Sequence, residues 1–236
     1  TKKQYFIKVN ILFRLSLSTE MIRAKNIHFS YNKLNVLNGV NLDIKKGDFI
    51  SIVGASGAGK STLLNLIGTL DTIQQGSLTI NNKEIINLNE IELAKIRNKE
   101  IGFIFQFHNL LNEFTALENI CLPAFLNGTT KETAEKKGME LLDMLNLHHK
   151  AEKKPDELSG GEQQRVAVAR SLINSPSILL ADEPSGNLDS KNASELHELL
   201  LKLNKEKSQT IIVITHSKEL ANLADKTFEI KDGKII

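Results

Sequence analysis

The sequence predicts an α/β fold with a mostly parallel sheet, an antiparallel β subdomain and an inserted α-helical subdomain. Three observations support this prediction. A short apolar run at 49–53 precedes a glycine-rich loop and then a stretch that favours a helix. Alternating polar and apolar residues over 22–44 predict antiparallel edge strands. Helical periodicity from about 107 to 170, flanked by strand-rich sequence, indicates a helical subdomain inserted into an α/β core.

Composition limits the class of protein. The chain has 236 residues, 41% hydrophobic and 25% charged, as in soluble globular proteins of one or two domains. Its net charge of +2 is too small to indicate binding to nucleic acid or to an anionic membrane surface. The single cysteine, Cys121, excludes a disulfide framework, favours a reducing compartment and is expected to be a small core residue. No apolar stretch approaches the roughly 20 residues of a membrane span, so we expect any membrane contact to require a partner.

The first 20 residues differ from the rest of the chain. They carry four basic residues among apolar ones and almost no acid. This composition is compatible with a targeting leader or a basic amphipathic anchor. It is also compatible with sequence upstream of a natural start at Met21, which we favour because the segment lacks a small-residue cleavage site. We therefore expect a disordered or non-native extension at 1–20 and one domain at 21–236.

The elements follow in order from apolar periodicity and from helix-start signals. Strands are expected at 22–29, 36–44, 49–53, 76–82, 101–105, 177–183, 210–215 and 227–234, the fourth and the last of these with adjoining turns. Helices are expected at 63–67, 115–125, 129–147, 159–172, 191–204 and 218–224. Three helix starts have the spacing of a capping box: Thr115 with Glu118, Thr129 with Glu132, and Ser159 with Glu162.

The glycine-rich loop at 54–62 has the pattern of a P-loop in its required context, between a strand and a helix. Its glycines let successive backbone N–H groups turn toward a polyphosphate, and the following helix directs its positive end at the same anion. A plain glycine-rich turn is the alternative, and the complete pattern argues against it. The expected phosphate-binding residues are Gly54, Ala55, Ser56, Gly57, Ala58, Gly59, Lys60, Ser61 and Thr62.

Polar residues that follow apolar strands are expected to project into a cleft at the edge of the sheet. Gln106 follows one strand, and Asp182 and Glu183 close another. Adjacent strand residues point to opposite faces, so Asp182 is assigned to a Mg²⁺ shell and Glu183 to orienting or deprotonating a water. His216 ends a further strand and is placed to contact a γ-phosphate, although a lone histidine is more often structural.

Two further motifs have both a functional and a structural interpretation. Tyr31 lies near the P-loop on a neighbouring strand and could stack on an adenine ring, or it could be an ordinary strand tyrosine. Ser159, Gly160 and Gly161 open a helix and could bind an anion, or they could simply cap the helix with Glu162. The two interpretations of the serine-glycine motif are compatible with each other.

The ordered set of motifs resembles the ATP-binding subunit of ABC transporters over about residues 21–236. This order is the P-loop at 54–62, Gln106, LSGG at 158–161, Asp182-Glu183 and His216. Within that family the stretches 102–111, 114–119 and 181–189 are similar to the lipoprotein-releasing, macrolide-exporter and cell-division group. Ser185 and Asn112 depart from that group, which usually has threonine and proline at these positions.

The resemblance implies an ABC ATPase fold with a P-loop NTPase core, and it assigns roles. Tyr31 would stack on adenine, while Lys60 and the loop amides would hold the phosphates of ATP. Mg²⁺ would be held by Ser61, Gln106 and Asp182. Glu183 would be the general base, His216 the γ-phosphate sensor, and 159–161 would contact ATP held by a second copy of the chain. Asp189 would lie in the loop that crosses the dimer interface.

The resemblance also implies partners and a location. Two copies would sandwich two ATP molecules, and an integral membrane permease would dock on exposed apolar residues: Phe107, Leu110, Leu111 and Phe114. The site of action would be the cytoplasmic face of the bacterial inner membrane, with no nucleic acid partner and membrane contact only through the permease. The implied function is powering lipoprotein release, with macrolide or peptide export and a cell-division complex as alternatives.

Other P-loop proteins fit the sequence less well. A soluble ABC ATPase of DNA repair or translation usually carries paired cassettes, coiled-coil arms or zinc motifs, and this sequence shows one cassette and one cysteine. A P-loop GTPase would need an Asn-Lys-x-Asp element to bind guanine, and the sequence has none. A scaffold that uses the same ATPase to move a membrane complex is barely distinguishable at this level.

Overall fold

A computed structural model describes residues 20–236, so the extension expected at 1–20 lies outside the described residues except for Glu20. Ten strands are present in this part of the chain: β1 Glu20–Tyr31, β2 Leu34–Lys45, β3 Phe49–Val53, β4 Gln75–Ile80, β5 Lys83–Glu84, β6 Ile101–Phe105, β7 Ile178–Asp182, β8 Thr210–Ile214, β9 Lys226–Lys231 and β10 Lys234–Ile235.

Seven α-helices connect these strands within residues 20–236. They are α1 Lys60–Ile67, α2 Glu90–Lys99, α3 Ala116–Leu126, α4 Lys131–Met144, α5 Gly160–Leu172, α6 Ser190–Lys207 and α7 Lys218–Leu223. Two short 3₁₀ helices, His148–Lys150 and Pro155–Glu157, link α4 to α5. No helix in the described range combines the length and the apolar character needed to cross a bilayer.

The strands form two sheets. An antiparallel sheet has the order β2-β1-β4-β5, and a six-stranded sheet has the order β10-β9-β3-β8-β7-β6. In the second sheet β9, β3, β8, β7 and β6 pair in parallel, and only β10 is antiparallel. The predicted fold class, a mostly parallel core with an antiparallel subdomain and inserted helices, is confirmed.

Both faces of the parallel sheet are buried, which explains the continuous apolar runs of its central strands. Ile50 and Ile52 of β3 face a core shared with α1 and the antiparallel sheet. Residues of alternate register, among them Leu179 and Ala181 of β7, face a second core against α5 and α6. Because successive strand residues point to opposite faces, β3, β6, β7 and β8 each contribute to both cores.

The helices α3, α4 and α5 share a third core of their own. Cys121 of α3 is fully buried in it, as expected for a small core residue. Burial raises the pKa of the Cys121 thiol to about 11. The thiol is therefore protonated at neutral pH and is not a nucleophile. The helical subdomain predicted at about 107–170 corresponds in position to these helices, and its status as a separate unit stays a prediction.

Four details of the predicted elements were wrong. The cap of α4 is Thr130, whose side chain accepts from the Thr133 N–H, so the predicted Thr129–Glu132 pair does not start this helix. The helix ends at Met144 rather than near 147. Helix α2 was not predicted, because its apolar residues do not gather on one face, and only Ile96 of them is buried, which gives little periodic signal. Strand β7 ends at Asp182, and Glu183 adopts a left-handed conformation with φ 46°.

Asn119 of α3 organises the irregular segment that precedes the helix. Its side chain is fully buried, and its Oδ1 accepts from the Leu111 N–H at 2.8 Å. Its amide nitrogen lies within 3.1 Å of the carbonyl oxygens of Leu111, Phe114 and Thr115. The oxygen thus pairs the Leu111 N–H, and the two N–H bonds of the amide are shared among three carbonyl oxygens, so one side chain connects the segment to α3.

Replacing Asn119 by Ala is expected to lower the free energy of unfolding by about 3 kcal/mol, because a fully buried side chain and its hydrogen bonds to part-buried backbone groups would be lost. Chemical denaturation of the two variants would measure the loss. The exposed Asn112 in the same segment is the matched control, and its change to Ala should cost less than about 0.5 kcal/mol. Equal stability of the two variants would contradict this role of Asn119.

Candidate functional site

The candidate site lies at the carboxyl ends of four neighbouring strands of the parallel sheet. The P-loop follows β3, Gln106 follows β6, Asp182 and Glu183 lie at the end of β7, and His216 lies just past β8. These groups line one cleft of about 660 Å³. The cleft is lined by Tyr31, Leu34, Val36, Ser56, Gly57, Gly59, Lys60, Ser61, Thr62, Gln106, Asp182, Glu183, Gly186, Ile214 and His216.

The P-loop wraps around the start of α1. Gly59 caps this helix with φ 104°, and a side chain there would meet Leu37 at 2.8 Å. Only glycine tolerates both this conformation and this close approach. The Lys60 side chain is buried, and its Nζ donates to the carbonyl oxygens of Gly54 at 3.0 Å and Ala55 at 2.9 Å. The ammonium is therefore held within the loop, at the positive end of α1.

Gln106 is held by a residue that the sequence did not single out. Its Nε2 donates to Asn187 Oδ1 at 3.1 Å, and Asn187 Nδ2 donates back to the Gln106 carbonyl oxygen at 3.2 Å. This reciprocal pair joins the end of β6 to the turn after β7. It leaves the Gln106 side-chain oxygen available to the cleft, which Asp182 also lines.

Glu183 and His216 form a close pair. The His216 backbone N–H donates to Glu183 Oε2 at 3.1 Å, and His216 Nε2 lies 3.3 Å from Glu183 Oε1. That second oxygen is buried and makes no hydrogen bond within residues 20–236. A buried carboxylate oxygen that makes no hydrogen bond, in a strained left-handed residue, is typical of a functional group that is oriented for a ligand.

The strand-alternation argument for the two acids was wrong. It assumed that Asp182 and Glu183 are both strand residues on opposite faces, but β7 ends at Asp182. The left-handed turn at Glu183 brings its side chain to the same cleft as Asp182. The two carboxylates therefore face one cavity, and their different surroundings rather than opposite faces separate them.

Tyr31 lies at the mouth of the cleft, 46% exposed, as an adenine-stacking residue would need. Its hydroxyl donates to Asp71 Oδ2 at 3.0 Å, and its ring packs edge-on against Phe29. Partial burial and the bond to Asp71 hold the pKa of the Tyr31 phenol above its ordinary value. The ring is thus fixed at two points while one face stays open.

Replacing Tyr31 by Ala is expected to weaken ATP binding roughly 10-fold, within the range for loss of one base-stacking aromatic. Tyr31→Phe keeps the ring and should bind within about 2-fold of the unmodified chain. Titration of each variant with a fluorescent ATP analogue measures both affinities. Unchanged affinity in Tyr31→Ala would show that this is an ordinary strand tyrosine.

The LSGG residues do not line the cleft. Ser159 caps α5 in a complete capping box with Glu162, as predicted. Gly160 is open, with no atom within 4 Å of a built Cβ. At Gly161 a Cβ would lie 2.0 Å from Asn192 Oδ1, so a larger residue would have to displace the Asn192 side chain of α6. The structure therefore leaves 159–161 outside the pocket formed by the P-loop of the same chain.

Several residues that support the site escaped the sequence analysis. Arg170 of α5 donates to the carbonyl oxygens of His108 at 2.7 Å and Asn109 at 2.6 Å, which holds the segment after Gln106. Asn192 contacts Asp189, whose pKa is lowered by the Asn192 backbone N–H and then by its side chain. Arg170 belongs to no motif, so only its tertiary contacts reveal it, whereas Asn192 acts through the local cap of α6 by Asp189.

The fold and the cleft define a P-loop nucleoside triphosphatase. The family model for ABC transporters matches residues 37–186. The chain is 50% identical over 216 residues to the "Lipoprotein-releasing system ATP-binding protein LolD" of Bacteroides fragilis, covering 92% of this chain and 100% of that protein. The chain belongs to the ABC transporter family and is an ATPase.

Solved structures agree with this assignment. A dimeric bacterial ABC transporter cassette superposes with a TM-score of 0.83 and 43% identity, over 91% of this chain and 96% of the other. A dimeric post-hydrolysis state of an ATP-binding cassette, bound to ADP and Pi, matches with the same TM-score of 0.83 and the same 43% identity and coverage. The predicted ABC ATPase fold is thereby confirmed.

Proposed function

We propose that the chain is the ATP-binding subunit of a lipoprotein-releasing ABC transporter at the cytoplasmic face of a bacterial inner membrane. The observation that carries the proposal is the cleft itself, which gathers the P-loop, Gln106, Asp182, Glu183 and His216 at one end of the sheet. The substrate class, lipoproteins, is supported by the relatives. Lipoprotein-releasing system ATP-binding proteins are about 50% identical to this chain, and the match covers almost their full length. These relatives favour lipoprotein release over export or cell division.

Each residue of the cleft has a step that its position supports. Lys60 and the P-loop amides hold the β- and γ-phosphates and stabilise the charge that develops during transfer. Glu183 Oε1, which has no other hydrogen bond, accepts a proton from the attacking water as its oxygen bonds to the γ-phosphorus. The bond from that phosphorus to the β-phosphate oxygen breaks, which releases ADP and phosphate. His216 contacts the γ-phosphate and keeps Glu183 in place through its backbone N–H.

The residues of the cleft also suit Mg²⁺. Ser61, Gln106 and Asp182 offer a hydroxyl, an amide oxygen and a carboxylate along the same cavity. Hard oxygen donors with few carboxylates are what Mg²⁺ prefers when phosphate oxygens and water complete its coordination. Bound there, the ion would neutralise phosphate charge, and Ser61, Gln106 and Asp182 would orient it.

A second copy of the chain completes each site in this proposal. Ser159, Gly160 and Gly161 face away from their own cleft, and the open surface at Gly160 leaves room for a phosphate. The α5 N-terminus adds its positive end. Related cassettes are dimeric. Two chains placed head to tail would put each LSGG motif over the partner's P-loop, so ATP would join them and hydrolysis would release them.

The permease-docking surface needs revision. Phe107, Leu111 and Phe114 are exposed, but Leu110 is partly buried against the core of α3, α4 and α5. An apolar groove of about 880 Å³ runs between α2, α3 and β6. Apolar residues that line it are Ile91, Ala94, Ile101, Phe103, Phe105, Pro123, Leu126 and Ile173.

We assign this groove to a segment of the permease. Ile91 is 69% exposed and Leu126 is 84% exposed on its opposite sides, as expected of residues that a partner covers. Phe103 and Phe105 stack at its floor with centroids 5.5 Å apart, and Gln106 follows directly in the chain. A permease segment in the groove would therefore press on the strand that ends at the ATP cleft.

The double substitution Ile91→Glu with Leu126→Glu is expected to abolish ATP-dependent release of a labelled lipoprotein from membrane vesicles that contain the permease, because two charges would be buried unpaired. ATP hydrolysis by the isolated chain should stay within about 2-fold. Ile86→Glu, at an apolar position that is 40% exposed and lies outside the groove, is the control. Normal release by the double variant would remove the groove from this role. Release that never depends on this chain would instead overturn the proposed substrate.

A further inference from the structure

A buried histidine lies behind the cleft and has no part in the roles given above. His197 of α6 is 2% exposed. Its Nε2 lies 3.0 Å from Ser185 Oγ, a hydrogen bond that either neutral tautomer can make. Its Nδ1 has no hydrogen-bond partner within residues 20–236, and it lies 3.7 Å from Glu219 Oε1 on α7. Buried polar atoms are normally satisfied, so this arrangement needs an explanation other than packing.

Ser185 lies in the turn that carries Glu183. The Gly186 N–H donates to the Glu183 carbonyl oxygen at 3.0 Å, and the Leu188 N–H donates to the Ser185 carbonyl oxygen at 3.2 Å. These two bonds close the turn on both sides of Ser185. The Ser185 hydroxyl is directed to His197, and neither residue lines the cleft.

Glu183 needs such support because its backbone is strained. A non-glycine residue at φ 46° costs free energy that surrounding contacts must offset. The Glu183 side chain accepts a hydrogen bond from the His216 N–H. The turn that follows Glu183 is bound to α6 through the hydrogen bond between Ser185 and His197. His197 thus fixes the backbone side of Glu183, while His216 contacts its carboxylate.

We propose that His197 is a positioning residue for ATP hydrolysis: through its hydrogen bond to Ser185 it holds the strained turn that aims Glu183 at the attacking water. This inference rests on the proposed role of Glu183. His197 contacts neither nucleotide nor water in this assignment. Its loss should therefore lower kcat and leave ATP affinity unchanged, because a displaced base affects the transition state and not the bound ground state.

The test is steady-state ATP hydrolysis by the full chain with substitutions on both sides of the bond. His197→Leu fills a similar space without a hydrogen bond, and we expect kcat to fall roughly 10-fold with KM for ATP within about 2-fold. Ser185→Ala should cause the same fall, and the two together should cost no more than either alone. His197→Gln and Ser185→Thr keep a hydrogen-bonding group and should retain most of kcat. His149→Leu, at an exposed histidine, is the control.

Three results would overturn the proposal. They are a kcat within 2-fold in His197→Leu, a normal kcat in Ser185→Ala, and additive losses in the double variant. If His197→Leu fails to fold, Ser185→Ala and Ser185→Thr decide the question, because they change only one part-buried hydroxyl of the turn. Glu183→Gln distinguishes failure of this inference from failure of the proposed base. Full turnover of Glu183→Gln would show that Glu183 is not the base. Lost turnover of Glu183→Gln together with normal turnover of the His197 variants would overturn only the role of His197.

Discussion

Replacing Glu183 by Gln is expected to lower ATP turnover by at least about 10²-fold, the usual loss when a general base is removed. The amide keeps the shape of the side chain and can still accept the His216 N–H through its oxygen. It cannot take a proton from water at neutral pH. Phosphate release measured at saturating ATP gives the turnover of the variant and of the unmodified chain.

The same variant tests the head-to-tail pair. Because ATP would persist unhydrolysed between two chains, Glu183→Gln with ATP and Mg²⁺ should elute from a sizing column as a dimer, and as a monomer with ADP. Glu206→Gln, an exposed carboxylate at the other end of α6, should behave like the unmodified chain in both assays. Turnover near normal would remove Glu183 as the base, and a variant that stays monomeric with ATP would contradict the shared site.

Replacing Ser159 by Arg is expected to abolish hydrolysis while ATP still binds to the isolated monomer. The bulky side chain would occupy the place where the partner's γ-phosphate is proposed to sit, and it would not touch the P-loop of its own chain. We expect turnover to fall 100-fold or more. The dissociation constant of ATP from the monomeric chain should be unchanged.

Loss of the helix cap must be separated from loss of the phosphate contact. Thr115 caps α3 with the same capping box that Ser159 forms on α5. Thr115→Arg therefore removes an equivalent cap, worth about 1 kcal/mol, at a position with no proposed contact to nucleotide. Normal hydrolysis in Thr115→Arg is the expected control result. If both variants lose ATP binding together, Ser159 has a folding role and the cross-dimer contact is wrong.

Most of the fold could be predicted because its strands and helices carry strong local signals. The apolar runs of β3, β7 and β8 match the observed strands within one residue at each end. Capping boxes located the starts of α3 and α5. Helix α2 was missed because its apolar residues do not gather on one buried face, and the start of α4 shifted because Thr130, an N-cap residue of the same type, directly follows Thr129.

The site residues that belong to sequence motifs could be predicted. Those that act through tertiary contacts could not. Motif residues of the P-loop and the strand ends do converge on one cleft. Three supporting contacts could not be predicted from the sequence, because each joins positions 40 to 81 residues apart. They are the hydrogen bonds of Asn187 with Gln106, of Asp71 with Tyr31, and of Arg170 with the segment after Gln106. Backbone conformation was equally invisible: the left-handed turn at Glu183 has no composition signal.

Helix α5 has a consequence for how the two chains would communicate. Val166 and Ala169 on one side belong to the core of α3 and α4, and Val168 and Leu172 on the other belong to the core beneath the parallel sheet. A helix that packs tightly against a core on each side moves as a rigid unit and does not bend locally. A displacement of Ser159 by the nucleotide of the second chain would therefore move the whole helix, including Arg170 and the His108–Asn109 backbone that Arg170 binds. Gain or loss of a phosphate at the start of α5 would in this way shift the segment after Gln106, which leads to the proposed permease contacts.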